Sequence, residues 1–261
     1  MRPFRLLQIT DCHLGSQPGE KLLGLDTDQS LYDVLQLLQA NEAPDMILAS
    51  GDISNDGGVA SYERFIHIIE RYFPNTPLAW LPGNHDDPMN MDQVANLPIE
   101  AHCIRGGWNM IFLDSRIPME EGGDLHPNEL DRLDQQLAAY PRLPATVFLH
   151  HQPVPVGSEW LDQYVVLSHK AFFKILDRHP QVKSVCWGHV HQSFEAERNG
   201  VQLLATPSTC VQFLPNSEKF GVDAAMPGYR RFELHANGRV ETEVCRIKDK
   251  VYKIDFASTG Y

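Results

Sequence analysis

A chain of 261 residues with 22 Lys+Arg against 34 Asp+Glu carries a formal charge of −12, and its 43% apolar and 21% charged content is that of an ordinary globular protein. Burial of roughly three-quarters of the unfolded surface at this length excludes intrinsic disorder and a small cysteine-stapled scaffold. The acidic balance argues against a nucleic-acid polymer as partner, since phosphate backbones are usually met by a basic field.

In chain order, Phe4–Thr10 reads as a strand and Thr27–Ala40 as a helix with Leu31, Val34, Leu35 and Leu38 on one face. Asp45–Ser50 is a second buried strand, Ser61–Tyr72 a second helix and Leu78–Leu81 a third strand. The alternation continues with strand Asn109–Asp114, helix Pro127–Tyr140, strand Thr146–His150, helix His169–Arg178 and strand Val182–Trp187. Pro127 suits a first helical turn, where its missing N–H is no loss. After Gly188 the pattern changes. Asn199-Gly200 and Asn237-Gly238 each divide alternating runs, and both predict two-residue hairpin turns in a region of β-hairpins over about 193–247.

This order predicts an α/β chain with two mixed β-sheets stacked face to face and helices outside. No linker, repeat or low-complexity tract divides it, so one domain over 1–261 is expected. No apolar run reaches the 18 or more residues of a membrane span, and the N-terminus is too short for a signal-peptide core. Cys12, Cys103, Cys186, Cys210 and Cys245 are odd in number and widely spaced, as expected for reduced thiols in the cytoplasm.

The residues that follow each predicted strand carry the chemistry. They are Asp11-Cys12-His13, Gly51-Asp52, Gly83-Asn84-His85-Asp86, His150-His151 and Gly188-His189-Val190-His191. A lone histidine at a strand end is more often a hydrogen-bonded structural residue, and Gly-Asp is usually turn chemistry. Five such coincidences at the carboxyl ends of strands, where open α/β sheets bind ligands, point instead at one location. Carboxylate, imidazole and amide donors suit hard or borderline ions, and seven of them exceed one tetrahedral site, so two ions sharing a ligand is the economical reading. If D-x-H and H-x-H are extended, alternation turns their first and third side chains to the same side. Cys12 then faces the core. His67, His102, His126, His169, His179 and His235 lack this context and are expected to be structural or solvent-facing.

The set D-x-H, G-D, G-N-H-D, H and G-H-x-H resembles the signature of the calcineurin-like metallophosphoesterase family, complete and in order from Asp11 to His191. Leu6–Leu14, Leu81–Asp86, Leu149–Pro153, Ser158–Gln163 and Leu203–Phe213 resemble, within it, the bacterial class III cyclic nucleotide phosphodiesterases. The resemblance implies a four-layer αββα sandwich. It also implies one ion on Asp11, His13 and His191, a second on Asn84, His150 and His189, and Asp52 between them. His150 is chosen over His151 on the resemblance alone, which leaves His151 behind the ligands or facing substrate. Iron and manganese lead as the ions, with zinc or magnesium as alternatives.

The implied reaction is hydrolysis of 3′,5′-cyclic AMP to 5′-AMP by a hydroxide bridging the ions, which would lower cellular cyclic AMP. His85 would act as the acid, oriented by Asp86, with substrate against His13, Asp52, Asn84, His85, His151 and His191. Trp160, Tyr164, Phe213 or Trp108 offers a ring for a base, although a core role is the simpler reading for any one of them. Alternatives are a broader phosphodiesterase acting on 2′,3′-cyclic nucleotides or glycerophosphodiesters, and a non-catalytic scaffold, which the complete donor set disfavours. Monomer and homodimer are both open.

Overall fold

The computed structural model describes residues 2–260 apart from 41–42, 95–96 and 98. Its strands begin with β1 (Phe4–Ile9), β2 (Lys21–Leu22), β3 (Leu25–Asp26), β4 (Met46–Ser50), β5 (Leu78–Leu81), β6 (His102–Arg105), β7 (Trp108–Phe112) and β8 (Ala145–Phe148). They continue with β9 (Val182–Trp187), β10 (Phe194–Arg198), β11 (Val201–Ala205), β12 (Gln212–Phe213), β13 (Val222–Asp223), β14 (Gly228–Leu234) and β15 (Val240–Arg246). The helices are α1 (Thr27–Gln39), α2 (Val59–Tyr72), α3 (Pro88–Gln93), α4 (Pro127–Ala139), α5 (Glu159–Asp162) and α6 (His169–Leu176).

Period-two alternation sorts the strand side chains into layers. In β1 and β4, Leu6 and Leu48 meet Trp108, Phe112, Phe148 and Cys186 of the facing sheet. Leu7, Ile9, Ile47 and Ala49 point the other way, onto Leu31, Val34, Leu35 and Leu38 of α1 and Phe65 and Ile69 of α2. The second sheet repeats the arrangement, with Ile111, Val147 and Val185 under Leu133 and Leu137 of α4 and Phe172 of α6. Three apolar interfaces separate four layers, the αββα sandwich that the resemblance implies. Trp108, a possible base platform from sequence, is instead fully buried between the sheets.

The sheets run β15-β14-β1-β4-β5 and β10-β11-β9-β8-β7-β6. Strands β1, β4 and β5 are mutually parallel in one, and β7, β8, β9 and β11 in the other. Parallel order puts the carboxyl ends of these strands on one edge, and that edge carries the five motifs. Asp26 caps α1 by accepting from the Gln29 amide, and Pro127 opens α4 as the sequence predicts.

Both Asn-Gly hairpins form, but by different turns. Asn199 and Gly200 are both left-handed (φ 51° and 78°), as a two-residue turn requires. At the other, Gly238 alone of the pair has positive φ (86°), and the Gly238 amide donates to the His235 carbonyl while His235 donates to Arg239. The loop is a tight turn closed by one left-handed glycine, so the expected two-residue turn is corrected to three residues. A further hairpin, β6–β7, which the strand pattern does not predict, turns on Gly106-Gly107 (φ 58° and 81°), a Gly-Gly turn signal.

Phe148 is fully buried between the sheets, its ring 5.9 Å from Phe112 and 6.2 Å from Phe232. Phe148→Ala is expected to lower the unfolding free energy by about 3–5 kcal/mol in a urea titration of metal-free protein. A loss below about 1 kcal/mol would mean that the inter-sheet core does not carry the stability assigned to it.

Candidate metal centre and its cavity

The segments after β1 and β4 are tied together by their backbones: the amides of Asp11, His13 and Leu14 donate to the carbonyls of Gly51, Asp52 and Ile53 (3.0, 2.9 and 3.0 Å). They are not extended. Asp11, His13, Asp52, His189 and His191 all have left-handed backbones, with φ between 47° and 62°. The alternation argument for D-x-H and H-x-H is therefore corrected: both residues of each pair enter the site from left-handed backbones, His189 and His191 in two donor groups and Asp11 and His13 in one. Cys12 between them is fully buried among the α1 and α2 side chains, and burial pushes its thiol up.

Two donor groups result. Asp11, His13 and His191 bring ligand atoms together, with His13 Nε2 3.1 Å from His191 Nε2 and His191 Nε2 3.4 Å from Asp11 Oδ1. Asn84 Oδ1 and His189 Nδ1 face one another at 3.1 Å, and His150, His151 and His189 form a second cluster. Asp52 Oδ2 lies between the groups, 3.2 Å from His150 Nε2 and 3.8 Å from His13 Nε2. Nδ1 of His150 donates to the Ser50 carbonyl and Nδ1 of His191 to the Val211 carbonyl (2.9 and 2.8 Å), which turns Nε2 of each ring toward the site. Nε2 of His151 and of His189 is buried with no hydrogen-bond partner among the described residues. A cation supplies what such orphaned acceptors lack, so the donor set fits a metal.

A family model for calcineurin-like phosphoesterases matches residues 4–193. The chain belongs to the calcineurin-like phosphoesterase family. It is 40% identical over 98% of its length to a 3′,5′-cyclic adenosine monophosphate phosphodiesterase CpdA from Pseudomonas aeruginosa, covering 94% of that protein. The protein of the same name from Vibrio vulnificus is 41% identical, with 99% of this chain and 95% of the relative covered. A dimetal phosphatase from Danio rerio shares the fold at a TM-score of 0.64 and 15% identity, covering 94% of this chain and 99% of that one. Among the described residues no helix is long and apolar enough to cross a membrane.

The phosphoesterase motif glycines are explained by close approach. A Cβ on Gly51 would lie 2.3 Å from His150 Nδ1, on Gly83 2.2 Å from Asp52 Oδ1, and on Gly188 2.7 Å from Asp11 Oδ2. Each glycine makes room for a donor arriving from a neighbouring strand.

Asp86 has a different task from the one expected. Its carboxylate accepts from the amides of Ile53, Ser54 and Gly83 and from the Tyr62 hydroxyl, joining the loops that carry Asp52 and Asn84. The expected Asp86–His85 pairing is corrected, because these four donors occupy its oxygens and Nδ1 of His85 donates instead to the Asn55 carbonyl (3.2 Å).

Beside the donors opens a cavity of about 380 Å³ lined by Asn84, His85, Glu121, Trp160, Tyr164 and Phe213 among others. Of the residues expected against substrate, Asn84 and His85 line it. His13, Asp52, His151 and His191 are buried beside that lining. His151 is fixed by Ser115 (Oγ to Nδ1, 2.9 Å), with its ring 4.6 Å from that of His189. Phe213 stacks on His191 (4.1 Å, 7°), and Tyr164 meets His189 edge-on at 5.9 Å.

Burial lowers the His13 and His151 imidazoles to about 3, and carries His189 well down as well, so these rings are neutral at pH 7. Burial also opposes charge on His150, but Asp52 and Asp11 beside it overcome this and raise it to about 9. Burial alone would raise the Asp11 and Asp52 carboxyls; His191 and His150 respectively more than reverse that, and both stay ionised.

Gly83→Ala should push Asp52 aside and cut the bound metal measured by mass spectrometry at least tenfold, although it removes no donor. Normal metal content would show that the Gly83–Asp52 contact is dispensable. Metal-free His150 holds a proton below about pH 9 that a ligand must give up. Calorimetric titration with metal at pH 7.5 in buffers of different ionisation enthalpy should thus show about one proton released from this ring, with affinity weakening as pH falls. Affinity independent of pH between 7 and 9 would contradict it.

Proposed function

We propose that this phosphoesterase hydrolyses 3′,5′-cyclic AMP to 5′-AMP with two bound metal ions. The observation that carries the reading is the position of two segments outside the metal motifs, Ser158–Gln163 and Leu203–Phe213. Both lie within the span matched by the relatives named as 3′,5′-cyclic adenosine monophosphate phosphodiesterases. Trp160, Leu161 and Phe213 from these segments line the cavity. Ser208 Oγ donates to the Asp11 carbonyl, and the Val211 carbonyl holds His191. The substrate wall and the metal donors are thereby one connected structure.

Asp11, His13 and His191 would hold one ion, Asn84, His150 and His189 the other, and Asp52 would bridge them. Bound there, the ions supply an activated water nucleophile and positive charge at the phosphoryl oxygens. The Ser50 and Val211 carbonyls fix the tautomers of His150 and His191, and the Asn55 carbonyl fixes His85. One ring nitrogen of His85 is within 4.8 Å of donor atoms of His13 and Asp52. From there His85 gives a proton to O3′ as the P–O3′ bond breaks, leaving a 3′-hydroxyl and a 5′-phosphate. Asp86 supports this only indirectly, by holding the Asn84–His85 loop to the Asp52 loop.

Imidazole, carboxylate and amide donors without thiolate accommodate iron, manganese, zinc or magnesium; the resemblance puts iron and manganese first. Cys12, Cys103, Cys186, Cys210 and Cys245 are all unpaired, which fits a reducing cytoplasm. We assign the whole chain, 1–261, to one domain.

The test strips the protein with chelator, restores single metals, and compares turnover of 3′,5′-cyclic AMP, 2′,3′-cyclic AMP and bis(p-nitrophenyl) phosphate. Metal-dependent turnover of 3′,5′-cyclic AMP is expected, and turnover of only the other two would overturn the substrate reading. His85→Ala should retain two ions while kcat falls by roughly 10²–10⁴. Full activity in that variant would remove His85 from the reaction.

A further inference from the structure

The cavity beside the metal donors has an acidic wall, Glu120 and Glu121, although the substrate read above is an anion. A carboxylate at that place repels a phosphodiester unless it accepts a hydrogen bond from another part of the same molecule. Glu121 is held for such a role. Tyr164 donates its hydroxyl to Glu121 Oε2 at 2.7 Å, leaving Oε1 available to a donor.

Glu121 also lies on a loop closed at its base. The Asp124 amide donates to the Ser115 carbonyl (3.0 Å), Arg116 and Gly123 form an isolated bridge, and the Leu167 amide donates to the Gly123 carbonyl (3.0 Å). The carboxylate is thus anchored from two directions, by its own loop and by Tyr164.

Its position along the cavity selects the donor it meets. The phosphorus belongs at the end marked by Asn84, His85 and His189. The Tyr164 ring packs against His189 while its hydroxyl reaches Glu121, so one aromatic side chain separates the carboxylate from the metal donors. Trp160, Phe213 and Phe220 form a mutually packed aromatic wall in the same cavity, with ring centroids 5.2–5.4 Å apart. An aromatic wall receives a planar base. In a 3′,5′-cyclic nucleotide the base is the part that extends from the phosphorus, whereas the ribose is fused to it through O3′ and O5′.

We propose that Glu121 is a specificity residue that accepts a hydrogen bond from the exocyclic 6-amino group of adenine, with Tyr164 as its positioning residue. The inference rests on the cyclic AMP reading above and adds to it the group that recognises the base. A carboxylate held to accept from an N–H discriminates against an analogue lacking that donor, because the analogue forfeits a charge-assisted hydrogen bond.

The test compares kcat/KM for 3′,5′-cyclic AMP with that for purine riboside 3′,5′-cyclic phosphate, which lacks only the 6-amino group. The metal-loaded wild-type protein should prefer cyclic AMP by about 10- to 100-fold. Glu121→Ala should bring the ratio close to one, and Tyr164→Phe should lower it part of the way. Because each ratio is taken within one protein, a general loss of activity in a variant cancels. A wild-type ratio near one, or a ratio unchanged in Glu121→Ala, overturns the assignment. So does a preference for cyclic AMP over 2′-deoxy cyclic AMP that disappears in Glu121→Ala, since the carboxylate would then hold the ribose hydroxyl. Turnover of bis(p-nitrophenyl) phosphate without turnover of cyclic AMP defeats the substrate reading and this inference together. Turnover of cyclic AMP without discrimination at the amino group defeats this inference alone.

Discussion

Asp11, His13, Asp52, His189 and His191 place their side chains by adopting a backbone that L-residues avoid, with φ between 47° and 62°. The left-handed region costs an ordinary residue about 1–2 kcal/mol, and such conformations persist only where the surroundings over-determine them. Here the surroundings are the hydrogen bonds that join residues 11–14 to 51–53, and the His189 amide, which donates to the Asp11 carboxylate at 3.1 Å. The same contacts that enforce the strained torsions also bring donors from different strands together. Relaxing any one of them to an extended conformation would swing its donor away from the centre. The site therefore depends on two sheets whose parallel strands end side by side.

Glycine and histidine divide the remaining work. Gly51, Gly83 and Gly188 are the points at which a neighbouring donor comes too close for any side chain. The histidines are oriented from behind, through the nitrogen that does not face the site: His150 by Ser50, His191 by Val211, His151 by Ser115. Two of these anchors are backbone carbonyls, which cannot be lost by substitution of a side chain. Leu203–Phe213 thus acts on the metal centre without supplying a donor, since it carries both the Val211 carbonyl and the Ser208 hydroxyl bonded to Asp11. Phe213 extends the same segment into the cavity.

Much of this was legible in the chain itself. Strands Leu78–Leu81 and Val182–Trp187 have the limits expected of them, and α1 and α4 each end one residue early. Their apolar runs and caps are local signals. Asn199-Gly200 was equally readable, whereas Asn237-Gly238 misled because the same dipeptide also closes a three-residue loop. The torsions at His13, His189 and His191 had only a weak local signature, since histidine is enriched with Asn and Asp in the left-handed region but adopts it in a small minority of cases. Adjacency in sequence suggested that Asp86 serves His85, but the carboxylate turns to three backbone amides and a tyrosine hydroxyl from other segments. Glu121 carried no signal at all. Its place in the cavity comes from a loop closed by partners at 115, 123 and 167, separations that no short pattern encodes.

The donor composition also bears on how a protein of charge −12 can take an anionic substrate. Only two of the seven proposed donors are carboxylates; the others are an amide and four imidazoles, and burial keeps His13 and His189 neutral. Two divalent ions on such a set retain a net positive charge of about two, and an ion's own charge dominates the field around it. A set built from four carboxylates would cancel that charge and leave nothing to attract a phosphodiester. Neutral imidazoles would thus hold the ions without neutralising them, which would confine the positive potential to the site. A polyanion meeting the acidic surface would be repelled, whereas a single phosphodiester small enough to enter the cavity reaches the positive end. The excess of acidic residues and the preference for a small anionic substrate are therefore compatible, and the choice of histidine over carboxylate at these strand ends makes them so.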